Sequence, residues 1–357
     1  MRQMQKLLDL LDIELPIVLA PMAGASTPEL VAAVSNAGGL GSYGAAMLSL
    51  DQLKSEAARI RTLTNRSYNL GFFCHTTPVV SEAAENNWRA ALAPYYDELG
   101  VDKNATVTGG RRPFDADYCD AVLAIAPKVI SFHFGMPAPE LVKRLKDAGH
   151  VLIASATTVA EARRLVELGC DAIIAQGFEA GGHRGMFLSM DVATQVGTLA
   201  LVPQIVDAVD VPVIAAGGIA DARGVAAVMA LGAAAAQVGT AYMLCPETKV
   251  NPAHRAAIKS AADNGTVLTN LFTGRPARGI VNRMIRDFGA INPVAPPFPM
   301  AANALTPLRA EAEKRGSGDF TPLWSGQAAS LAREMGAGEL TKQLAEEARA
   351  LLRSLAA

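Results

Sequence analysis

Four stretches of the chain repeat one pattern: ELVAAVSNAGGLGSYG (29–44), ELVKRLKDAGHVLIAS (140–155), EARRLVELGCDAIIAQG (161–177) and RGVAAVMALGAAAAQVG (223–239). Each runs through an amphipathic helical rhythm to a glycine stop and passes at once into a short apolar strand. Strand and helix alternating in this way favours parallel pairing, because a crossover helix is how successive parallel strands are joined. Candidate strands fall at 17–20, 40–44, 69–73, 128–134, 151–156, 173–176, 211–217 and 235–241. Eight strands with intervening helices is the count of a closed (β/α)8 barrel, and continuous apolar strands suit a sheet covered on both faces.

The expected architecture is therefore an α/β chain folded as a (β/α)8 TIM barrel over residues 1–285. An excursion at 80–115, between the third strand and the third helix, carries NNWRAALAPYYDELGV and the polar GGRRPFD. A second long segment, 265–330, holds the proline-rich NPVAPPFPM. Excursions of this length read as lids or caps over the active face, with surface decoration as the alternative. Residues 286–357 are expected to be a C-terminal cap segment and a surface helix, with no second domain owning its own core.

Composition narrows the function classes. Half of the 357 residues are hydrophobic, 18% are charged and the formal net charge is −2, which fits one large core and excludes a disordered chain. Lys and Arg are dispersed, so the basic footprint of a nucleic-acid or anionic-membrane binder is missing and a small-molecule partner is the better expectation. Cys74, Cys119, Cys170 and Cys245 lack CxxC spacing and clustered histidines, which points to reduced thiols with neither a metal site nor a disulfide framework. The N-terminal MRQMQKLLDLLDIELP has acidic residues inside its apolar rhythm and no leader-type apolar run, so the reading is cytoplasmic. The uncharged stretch 224–246 is long enough to cross a bilayer, but Gly232, Gln237, Gly239 and Thr240 divide it into a helix and a buried strand.

GLGSYG matches G-x-G-x-x-G in the wrong context, since a helix precedes the glycines and a strand contains them; a dinucleotide fingerprint needs the reverse. AAGGIADARG (215–224) runs from an apolar strand through Gly217 and Gly218, whose missing Cβ lets backbone amides approach a ligand, to Asp221 as a cap of the next helix. QVGTAYM (237–243) ends the following strand. The loops after the seventh and eighth strands of such barrels are where a phosphate ester is bound, and both glycine turns fall there. QGFEAGGHRG (176–185) leaves the sixth strand on the same face, which moves His183 from a solvated turn histidine to an active-site group able to exchange a proton near neutral pH. Asn69 and Gln176 are strand-end amides that either face a ligand or satisfy backbone groups. His133, in SFHFG, is either a core histidine or a second polar group at the pocket mouth.

Taken in order, APMAG (20–24), SNAGGLGSYG (35–44), NLGFF (69–73), SFHFG (131–135), QGFEAGGHRG (176–185), AAGGIAD (215–221) and QVGTAYM (237–243) resemble the FMN-dependent nitronate monooxygenases, formerly called 2-nitropropane dioxygenases. The resemblance covers the barrel from about residue 15 to 285, and LWSGQAA (323–329) is also similar. It implies oxidation of alkyl nitronates, such as propionate 3-nitronate, with dioxygen to carbonyl compounds and nitrite or related nitrogen oxides. It further implies FMN as cofactor and a monomer or homodimer. By the same resemblance Met22 lies near the flavin, Asn69 and Gln176 hydrogen-bond it or its ribityl chain, and Gly181 passes close to it. Gly217 and Gly218 help to bind the phosphate, completed by Gln237, Val238, Gly239 and Thr240. His183 is then the catalytic histidine, as donor to the anion or as base, and His133 a substrate-pocket residue. PPFPMAANALTPLR (296–309) lacks the tyrosines and lysine that some relatives carry there, so no cap role is transferred. The competing enzyme reading is an FMN-dependent enoyl-acyl carrier protein reductase, which would consume NAD(P)H; a barrel that only stores or senses flavin is the non-enzymatic one.

Overall fold

The computed structural model describes residues 2–79, 81–105 and 111–356. Its strands are β1 (Ile17–Leu19), β2 (Gly41–Gly44), β3 (Tyr68–Phe73), β4 (Val129–His133), β5 (Val151–Ala156), β6 (Ala172–Gln176), β7 (Gly182–His183), β8 (Val213–Ala216), β9 (Ala235–Val238), β10 (Thr266–Thr269) and β11 (Ala277–Ile280). Eight of them pair in parallel in the order β1-β9-β8-β6-β5-β4-β3-β2. The two edges meet: Val18 bridges Leu40 in parallel, with Leu19 N donating to Leu40 O and Leu40 N to Ile17 O, both at 2.9 Å. A closed ring leaves no sheet edge, and the chain is the (β/α)8 barrel its periodicity indicated. The uncharged 224–246 stretch splits into the helix Ala222–Ala230 and β9, and no helix among the described residues is long and apolar enough to cross a membrane.

Side-chain parity along each strand separates lumen from outer layer. Val129, Val151, Ile153, Ala172, Ile174, Ile214 and Ala235 form one buried cluster inside the barrel, while their neighbours Ile130, Leu152, Ile173, Val213 and Ala236 pack outward against the helices. The first helix, Arg2–Leu11, plugs the N-terminal end of the lumen with fully buried Leu7 and Leu11. Each such leucine contributes roughly 1.5–3 kcal/mol by leaving water.

Two expectations about the appended segments change. The last helix, Ala337–Ala356, is not a surface addition. It packs against the helices Ala222–Ala230 and Pro28–Asn36, buries Leu340, Leu344, Ala345 and Ala348, and joins Thr341 Oγ1 to Tyr242 OH at 2.7 Å. That is the place of the eighth barrel helix, delayed in sequence by everything inserted after β9. The excursion and the cap also share a core of their own, where none was expected. Trp88, Leu92 and Tyr96 of the helix Glu82–Leu99 pack with Phe272, Met284, Leu305, Leu308 and Phe320. Trp88 Nε1 donates to Ala301 O at 3.0 Å, Tyr96 OH donates to Ala304 O, and Arg283 pairs with Glu98 at 2.6 Å. This cluster draws on distant segments, none of which has a core-sized apolar pattern alone. Of the GGRRPFD motif, Gly109 and Gly110 lie outside the described residues.

Candidate active site

Continuing each strand's inward parity to its C-terminal end brings Phe73, Ser131, His133, Ser155, Gln176 and Gln237 to the upper lumen. They line a cavity of about 230 Å³ together with Met22, Gly181, Gly217, Gly218, Gly239, Thr240 and His183. The pocket thus sits at the end of the barrel where such folds place their chemistry.

His183 is not on a free loop. It belongs to β7, which pairs antiparallel with β11 through His183 and Ala277, and Arg184 N donates to Pro276 O at 2.9 Å. Two side chains from the barrel wall hold its carbonyl: Gln176 Nε2 donates at 2.9 Å and His133 Nε2 at 3.0 Å. Because a carbonyl can only accept, His133 carries its proton on Nε2. The other end of the Gln176 amide, Oε1, accepts from Gly185 N at 2.7 Å. Arg184 is fully buried and donates to Gly177 O (2.6 Å), Gln176 O (2.8 Å) and Gln195 Oε1 (2.9 Å). Farther along, the buried Glu161 carboxylate accepts from Phe187 N at 2.6 Å. Gly185 is required by this packing, since a Cβ there would lie 2.9 Å from His133 Cε1 and 3.0 Å from Ser155 Cβ.

The His183 ring is set by Thr273, whose Oγ1 is 2.9 Å from Nε2, and is ringed by Phe298 and Trp324 at 5.4 Å and by Phe134 at 5.8 Å, centroid to centroid. Among the described residues Nδ1 makes no hydrogen bond, which leaves it for a ligand. Burial, followed by unfavourable electrostatics with Arg111, the His133 ring, Arg275 and the His75 ring, holds the His183 imidazole well below its usual pKa. Burial likewise lowers His133 to about 4 and His75 to about 4. All three rings are neutral at neutral pH.

The remaining anticipated residues divide. Met22, Gly181, Gly217, Gly218, Gln237, Gly239 and Thr240 line the cavity; Asn69 and Val238 do not. Asn69 lies fully buried below it, with Nδ2 donating to Ser42 Oγ (3.1 Å) and Ser131 Oγ (2.9 Å). Val238 has outward parity and is fully buried among the helix-facing core, so its side chain cannot reach a ligand. Both hydrogen-bonding ends of Gln176 serve the His183 segment, so its amide positions that segment instead of extending free into the pocket. Sequence reasoning missed Ser131 and Ser155, which inward parity would have found, and Arg111, Thr273, Phe298 and Trp324, which arrive from segments outside the barrel strands.

The residues present fit a flavin phosphate ester. Gly217 and Gly218 have φ of 115° and 71°, a conformation that favours glycine and turns their backbone into the cavity. Thr198 Oγ1 lies 2.7 Å from Glu179 Oε2 and 2.9 Å from Gly217 O, and its single hydroxyl proton is shared between these two acceptors behind the turn. Two buried amide oxygens, Gln237 Oε1 and Asn69 Oδ1, have no partner among the described residues. Unpaired buried acceptors are costly, and a bound group bearing N–H or O–H donors would satisfy those within its reach. The Asp221 carboxylate already caps the helix Ala222–Ala230 through Arg223 N at 3.0 Å, so the glycine turn rather than that helix terminus is the open anion cradle. Among the described residues no group of three or more His, Cys, Asp or Glu is arranged to hold a metal.

The nitronate monooxygenase family model matches residues 4–347. A nitronate monooxygenase of Paraburkholderia phytofirmans is 41% identical over 96% of this chain and 94% of its own. The crystal structure of nitroalkane oxidase from Streptomyces ansochromogenes superposes with a TM-score of 0.88 at 40% identity, covering 99% of this chain and 100% of that one. FabK from Thermotoga maritima is less similar, with a TM-score of 0.75 at 30% identity over 98% of each chain.

Proposed function

Since the chain belongs to the nitronate monooxygenase family, we propose that this pocket oxidises alkyl nitronates, propionate 3-nitronate among them, with dioxygen, giving carbonyl compounds and nitrite or related nitrogen oxides. The cofactor in this reading is FMN, its phosphate on the Gly217–Gly218 turn and the loop at Gly239 and Thr240. Flavin supplies the redox chemistry when bound; the protein's part is to bind, orient and set charge. The observation that carries the reading is His183, fixed on a paired strand with Nδ1 unengaged, in the same cavity as a glycine turn suited to a phosphate. His183 held neutral acts as a hydrogen-bond partner to the substrate and as the base when a neutral nitroalkane is presented. His133 lines the substrate side of the pocket and keeps the His183 backbone in place. Nothing in this reading calls for nucleic acid or a membrane, and the cytoplasm is its site of action.

The test is an oxygen-electrode assay with ethylnitronate and propionate 3-nitronate, run beside NADPH oxidation with an enoyl thioester on the same preparation. Yellow protein with an FMN spectrum, rapid oxygen uptake and no enoyl-dependent NADPH consumption are expected. NADPH consumption with untouched nitronates would establish the reductase instead, and no turnover of either would leave flavin storage.

A further inference from the structure

Arg111 enters the pocket from the segment that follows β3. Three residues later Phe114 N donates to Phe73 O at 2.7 Å, tying the segment to the end of that strand. In the closed ring β3 stands four places from β8, so Arg111 approaches from across the barrel mouth relative to the Gly217–Gly218 turn. Its guanidinium carbon lies 5.9 Å from the centroid of the Phe298 ring. The same ring meets His183 edge-on at 5.4 Å and His75 at 4.8 Å. Arg111 and His183 are thus two polar groups around one aromatic wall.

Among the described residues the charge of Arg111 has no counter-ion. Its neighbour Arg112 pairs with Asp115 and Asp117, whereas no ion pair among the described residues uses Arg111. Among the described residues no carboxylate lines the cavity, and Arg111 is the one Lys or Arg that does. Burial lowers its pKa to about 10, which leaves it cationic at neutral pH, and the three nearby imidazoles are neutral. Arg111 is partly buried, and a half-desolvated cation without a counter-ion among the described residues is stabilised by a small anion placed against it.

We infer that Arg111 is the anchor for the substrate's negative charge, a fixed cation that makes the pocket select anionic nitronates over neutral nitroalkanes. The inference rests on the proposed function and deepens it. Arg111 is a specificity residue: the phosphate cradle on the far side of the barrel mouth does not depend on it, so flavin content is expected to survive its replacement.

The experiment compares wild-type holoenzyme with Arg111→Met and Arg111→Lys, and with Arg111→Gln should the methionine variant fail to fold. Loss of a charged hydrogen-bonding partner is expected to raise KM for ethylnitronate on the order of 10- to 100-fold. Binding of neutral nitroethane, titrated calorimetrically, is expected not to change, and lysine is expected to restore most of the nitronate affinity. Nitrite, an unreactive monoanion, is titrated in parallel and is expected to bind wild type and Arg111→Lys but to weaken at least tenfold in the uncharged variants. An unchanged nitronate KM, an equal loss for nitroethane and nitronate, or nitrite binding indifferent to residue 111 would overturn the assignment. If wild type fails to oxidise nitronates, the functional reading fails while the nitrite titration still decides whether Arg111 is an anion anchor.

Discussion

Gln176→Leu tests whether the active-site histidine is positioned from the barrel wall. The substitution keeps the size of the side chain and removes both hydrogen bonds of the amide. Gly185 N is buried and has Gln176 Oε1 as its partner, so leucine leaves it unsatisfied at a cost of about 1–3 kcal/mol. The His183 carbonyl keeps its second donor, His133 Nε2, so its loss is the smaller net value of about 0.5–1.5 kcal/mol. The combined destabilisation is about 1.5–4.5 kcal/mol. In urea unfolding of the flavin-free protein this lowers the midpoint by about 1 M, using the upper range of slopes for small domains. Oxygen-electrode kinetics on the holoenzyme are expected to show kcat/KM for ethylnitronate falling by about tenfold or more, because a displacement of His183 by a fraction of an ångström misaligns it. Gln176→Glu separates the two contacts: it retains an acceptor for Gly185 N but sets a carboxylate against the His183 carbonyl. A Gln176→Leu protein with an unchanged midpoint and unchanged kcat/KM would refute the claim that this amide holds the segment.

His183→Ala is expected to retain FMN, since no phosphate-cradle residue depends on it, while kcat/KM for nitronate falls by about 100-fold or more, the scale of a lost proton-exchanging group; an unaltered kcat/KM would remove His183 from catalysis. Stability is expected to fall on acidification. Burial holds His75, His133 and His254 each at about 4 in the folded protein, against about 6.5 when free. Between those values the unfolded chain binds protons that the native one does not, so stability rises with pH across the window and is lost as pH drops from 6.5 towards 4. Urea midpoints measured from pH 7 down to pH 4.5 that stay flat or increase would contradict the burial of neutral imidazoles.

Much of the barrel could be read locally. A helix that stops at glycine and gives way to an apolar strand is decided by residues within one or two turns, which is why β5 fell at 151–156 as expected and the other barrel strands within a few residues of their expected bounds. The glycine turn at 217–218 was equally visible, because positive φ at two successive positions is a property that glycine supplies by itself. QGFEAGGHRGMF announced an unusual segment, but not that Gly182 and His183 would form a strand paired to β11, nor that Arg184 would be buried as its strut.

The sequence alone determined the repeating β-α unit, the apolar lumen and the family-like order of motifs around His183. Tertiary structure decided which polar atoms meet. Barrel closure turned Gln176 from a free amide into a brace for His183 and left Asn69 beneath the cavity, bonded to Ser42 and Ser131. It also seated the last helix in the eighth position and joined two remote segments into a second core that delivers Phe298 and Trp324 to the histidine. The physical reason is range. Helical period, glycine stops and strand parity act between neighbours in the chain, whereas the contacts that position Arg111 and His183 link residues far apart in sequence and exist only once the ring has closed.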